Sequence, residues 1–146
     1  MYTAEFSELN YPLVTQYPDD RGPGTHYSDW ASLRDYHRAW LLLEVGDMGA
    51  LATVNAGLRQ ATDTAGTGAK AISGKTITQL TQAGGDQSSL VCIELQTEEL
   101  DVDGGFDCVQ FYVTTAVNTV IYSATLFGLV SRYKPVPTTN WAERVH

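Results

Sequence analysis

An all-β fold, an antiparallel β-sandwich or jelly-roll-like single domain with extended N- and C-terminal arms, is what this sequence predicts, and three observations point to it. From about Tyr36 to Lys134, short apolar runs of strand length recur between Gly-rich or acidic turns. Several of these runs alternate apolar and polar residues with a period of two. Helical candidates are confined to short stretches such as Ser28 to Asp35, so the crossovers that a parallel sheet requires are missing.

The elements follow in order. Residues 1–35 read as an extended N-terminal arm, rich in tyrosine and interrupted by Pro12, Pro18 and Pro23, in which neither period survives for long. Its aromatic content is too high for a solvated tail, so the arm is expected to order by lying on something. Residues 36–130 form the sandwich core. His37 to Val45 is a strand with both faces covered, and Gly46-Asp47 ends it. Ala50, Ala52, Val54, Ala56 and Leu58 then share one face of a half-buried strand, opposed by Thr53, Asn55, Gly57 and Arg59. After the polar turn at Thr62 to Gly68, the stretch Ala69 to Leu80 reads as two short strands or one bulged strand around Gly74.

Ser89 to Thr97 alternates again, with Val91, Ile93 and Leu95 inward. An acidic turn from Glu98 to Gly105 leads to a strand from Phe106 to Thr115. The last strand, about Thr119 to Val130, sets Tyr122, Ala124 and Leu126 against Ile121, Thr125, Phe127 and Leu129, so both of its faces look covered. Residues 131–146, with Pro135, Pro137 and Trp141, form the C-terminal extended arm.

The composition narrows the function classes. A chain of 146 residues supports one core, and nine Lys and Arg against seventeen Asp and Glu give a net charge of −8. Such a molecule repels a phosphate backbone or an anionic membrane, and its basic residues are scattered singly, so neither nucleic acid nor membrane is an expected partner. There is no apolar stretch of membrane-spanning length, and Met1 to Phe6 lacks the basic and apolar regions of a secretion signal, which points to synthesis in a cytosol. Cys92 and Cys108 either form one disulfide or remain small buried thiols; both lie in strand-like runs.

Motifs for chemistry fall short on spacing. Gly68 to Thr76 resembles a phosphate-binding loop, but it has five residues where that loop has four, and Thr76-Ile77-Thr78 continues as strand. Asp101 and Asp103 echo the start of a calcium loop whose twelfth position would be Tyr112 rather than a glutamate. The histidines His26, His37 and His146 have no metal-ligand spacing with the cysteines. No pairing of a nucleophile with a base is evident, so the chain reads as a non-enzyme without cofactor or metal.

A family resemblance does emerge from Tyr36-His37-Arg38, Gln60 to Lys70, Gly74-Lys75, Thr78 to Thr81, Thr97 to Phe106 and Arg132 to Pro135. Together these segments resemble a small structural protein of tailed bacteriophages and prophages, of the capsid decoration, or cement, type. The resemblance implies a virion protein on the capsid exterior, assembled in the host cytoplasm. Its partners would be the major capsid protein and copies of itself, with a trimer at local three-fold positions as the natural form. Two other readings stay open: a head-completion, head-to-tail connector or tail component, and a carbohydrate-binding β-sandwich module.

Under the shell reading the arms carry specificity. The expected contact residues are Tyr2, Phe6, Tyr11, Tyr17 and Trp30 at one end and Tyr133 and Trp141 at the other, because buried aromatics anchor interfaces while charged neighbours form the rim.

Overall fold

A computed structural model describes residues 5–132 and 139–145. Two antiparallel sheets face each other. The first has the order β1 (Asn10–Arg21), β10 (Val120–Ser131), β4 (Tyr36–Met48), β8 (Ser89–Gln96). The second has the order β2 (Gly24–Tyr27), β9 (Cys108–Ala116), β5 (Thr53–Ala61), β6 (Lys70–Thr76), with β3 (Ala31–Ser32) also on β9 and β7 (Leu80–Thr81) also on β5. If β2 with β3 and β6 with β7 are each counted as one interrupted strand, the two sheets read 1-8-3-6 and 2-7-4-5. That order is the double Greek key of a jelly roll.

Period-two patterning builds the core. Leu41, Leu43, Leu95, Tyr122 and Leu126 from the first sheet meet Val54, Leu58, Val109, Phe111 and Val113 from the second, each essentially solvent-free. Small side chains allow close approach where it is needed. At Gly128 on β10 the ring of Tyr36 lies where a Cβ would sit.

Two segments differ from the sequence expectation. Ser28 to Asp35 is not helical; it carries the two-residue strand β3 and a turn, because Leu33 N–H and Ser28 N–H bond to the carbonyls of Asp107 and Phe111 instead of to their own chain. The described helices are α1 (Phe6–Leu9) and a 3-10 turn at Thr97–Glu99.

Much of residues 1–35 lies within the sandwich: β1 is the edge strand of one sheet, and β2 and β3 border the other. The C-terminal segment lies alongside. Asn140 donates to the carbonyls of Pro12 (2.9 Å) and Leu13 (3.5 Å), and Arg144 reaches Ser7 (3.0 Å).

Candidate functional site

The residues that carry the family resemblance meet largely at one end of the sandwich, where they hold loops together. Gln60 Oε1 accepts the N–H of Asp101 (2.8 Å), and Lys70 pairs with the Asp101 carboxylate. Lys75 pairs with Glu99 (2.9 Å) and donates to the Glu94 carbonyl (2.8 Å). Thr97 donates to the His37 carbonyl, while Arg132 donates to Thr97 and to the Tyr36 carbonyl.

The lysines of the phosphate-loop-like stretch are thus engaged by the acidic turn, and Gly68 to Thr76 leads into strand β6 rather than a helix. Each partner lowers the other's availability. A hydrogen bond from Lys70 holds Asp101 below the usual carboxylate range, and the Gln96 N–H followed by Lys75 does the same for Glu99. Among the described residues no three metal-ligating side chains come together. Cys92 on β8 is exposed and Cys108 on β9 is buried; both are free thiols on different sheets.

A different region gathers aromatic and cationic side chains on the outer surface of the second sheet. Tyr27 pairs across strands with Tyr112, their rings 6.1 Å apart and tilted by 52°. The Arg59 guanidinium lies 5.2 Å from the Tyr27 ring and 6.0 Å from the Trp30 ring, and it donates to Gln110 Oε1 (3.4 Å). Such a cation between two faces is attracted by both ring quadrupoles.

The loop that carries Trp30 is fixed from below. Gln110 donates to the Ser28 carbonyl (2.6 Å), and Ser28 Oγ accepts the Phe111 N–H (3.1 Å). From the side, Gly66 leans on the indole: a Cβ there would lie 2.6 Å from Trp30 Nε1. Gly66 has φ +84°, in a turn that Asp63 organises by accepting the N–H groups of Ala65 and Thr67. Hydrogen bonds from Thr67, its side chain first and then its N–H, hold the Asp63 carboxylate below its ordinary value.

Beyond Trp30 a groove of about 660 Å³ opens along the side of the sandwich, between β1 and the turn before β3. Tyr17, Asp29, Trp30, Asn140 and Trp141 line it. The Trp141 indole N–H is buried without an acceptor among the described residues, a state that costs about 1–3 kcal/mol.

The expected contact residues therefore divide. Tyr17, Trp30 and Trp141 come together, although Trp141 was placed at the opposite end of the molecule from the other two. Tyr11 is buried, with its hydroxyl on Thr139 (3.0 Å), whereas Phe6 is 62% exposed on α1. Tyr2 and Tyr133 lie outside the described residues. The sequence reading missed Tyr27, Tyr112 and Arg59 as a group. The signal available was an arginine on the outward face of a strand, but its aromatic neighbours belong to strands whose register sequence does not reveal. No family model, curated protein or solved structure matches the chain.

Proposed function

We propose that this chain is a non-enzymatic virion decoration protein of the tailed-phage type, which binds the major capsid protein and stabilises the shell. The observation that carries the reading is the strip of Tyr112, Tyr27, Arg59 and Trp30 raised on a rigid sheet. These are the residue types that dominate binding energy in protein interfaces, and here they are already held in one geometry before any partner arrives. The jelly-roll strand order supports it by analogy, since that architecture recurs in viral capsids and in lectins.

The test is quantitative mass spectrometry of purified particles from the source that encodes the chain. A copy number equal to that of the major capsid protein, or a simple fraction of it, is the expected result. A handful of copies per particle would move the protein to the connector or tail, and absence would end the virion reading.

The groove favours a second reading, carbohydrate binding. Its three aromatic rings, the Asp29 carboxylate and the Asn140 amide supply the stacking faces and polar groups that sugars require. A glycan-array signal lost in Tyr17→Ala and Trp141→Ala, with particle association unchanged, would favour that reading over the first.

A further inference from the structure

We propose that the outer face of the first sheet is a self-association surface, on which two copies of this chain pack face to face about a two-fold axis. The sequence pattern of β4 and β10 is that of strands covered on both faces, yet the described fold covers only one. Trp40, Leu42, Thr125 and Phe127 lie at the middle of the other face and are half-buried. An antiparallel sheet facing water normally turns polar side chains outward, so an apolar centre calls for a cover.

The face is complementary to itself. Phe127 and Trp40 are cross-strand partners stacked at 5.0 Å, and they form a tall aromatic row. Thr125 and Leu42 form the adjacent, lower row. Arg38 and Glu44 flank the two rows on β4, each outward and exposed, and neither side chain bonds to another described residue. A two-fold axis lying in the interface plane, across the strands between the two rows, seats each tall row on the partner's low row. The same operation places Arg38 of each copy over Glu44 of the other.

Symmetry follows from there being one patch. A self-complementary face closes as an isologous pair, whereas a three-fold ring needs two different matching surfaces. Four strands about 4.8 Å apart and four outward rows about 6.8 Å apart give a face of roughly 500 Å². A pair therefore buries on the order of 1,000 Å² in total, at the lower bound for a specific interface. The inference concerns the isolated protein and does not rest on the shell reading.

Sedimentation of the full chain from about 1 to about 100 μM spans the affinity range expected of such an interface. The expected result is a species of twice the 15.9 kDa chain mass. Leu42→Glu is expected to weaken the pair at least tenfold with an unchanged circular dichroism spectrum. Thr125→Glu, on the neighbouring strand, should do the same and stands in if Leu42→Glu fails to fold. Arg38→Glu and Glu44→Arg should each weaken association, and the double exchange should restore it. A monomer at every concentration, or a dimer that survives both face variants, overturns the proposal. Single exchanges that weaken without rescue by the double exchange overturn the two-fold register. Because no shell is present, failure here leaves the decoration reading intact.

Discussion

Trp30 is held from three sides: the Arg59 guanidinium over its ring, the Ser28–Gln110 bond beneath its loop and Gly66 against its indole nitrogen. If the chain decorates a shell as proposed, Trp30→Ala is expected to weaken that association by about 2 kcal/mol or more, the cost of losing an interface anchor. A pull-down with purified shells measures this, and a melting curve within a few degrees of wild type shows that the fold survives.

Two buried phenols give a pH prediction. Burial pushes Tyr36 and Tyr122 up to about 12 from an ordinary value near 10. The folded state thus favours the neutral phenol; the stability it contributes is complete below pH 10 and is lost as pH rises from 10 toward 12. Tyrosinate absorbance should show Tyr36 and Tyr122 ionising only as the protein unfolds. Ionisation of these two phenols near pH 10 in the folded protein would contradict this packing. The burial of Tyr122 was legible in the covered pattern of its strand, but the neighbours of the two phenols were not, because a tyrosine in a strand carries no mark of which strand lies beside it.

At the scale of the element, β1 explains what sequence hid. The strand contains Pro12 and Pro18 and two register shifts against β10, between Pro12 and Val14 and between Gln16 and Asp19. Proline is tolerated on an edge strand, where one side of the backbone needs no ladder partner, and each bulge reverses the inward face. The period-two signal is erased, although the segment lies in the sheet.

The strands β5, β8 and β9 were legible because the alternation persists through them, and β4 and β10 because each is a long apolar run. Strand β6 adds an electrostatic consequence, since its two lysines bind the acidic turn. Glu99 and Asp101 have depressed carboxylate values, so what they contribute is present above the ordinary carboxylate range and is lost as pH falls through their folded values. Melting temperature should accordingly fall below about pH 4. The double variant Lys70→Met, Lys75→Met should flatten that acid slope; an unchanged slope would show that the pairs add nothing.

At the scale of the whole molecule, the two ends clasp each other instead of reaching apart. Tyr11 meets Thr139, Asn140 caps the carbonyls of Pro12 and Leu13, and Arg144 bridges to Ser7 with Glu5 4.0 Å away. Sequence could place aromatics and prolines in both terminal segments, but not their meeting, because contacts between residues some 128 positions apart have no local signature. The meeting changes what a truncation should do. A chain ending at Arg132 loses the clasp and one wall of the groove, and it bares the carbonyls on the edge of β1. With the Asn140 amide counted once, three hydrogen-bonding groups at about 1 kcal/mol each set the scale of the loss, roughly 3 kcal/mol. For a domain of this size that is a fall in melting temperature of about 10 °C, readable by calorimetry. If instead the terminal segment acts only as an arm reaching to neighbouring subunits, the truncated chain will melt with the wild type while losing its grip on the shell. The two outcomes separate a segment that completes the fold from one that serves only the partner, and the hydrogen bonds to Pro12, Leu13 and Ser7 favour the first.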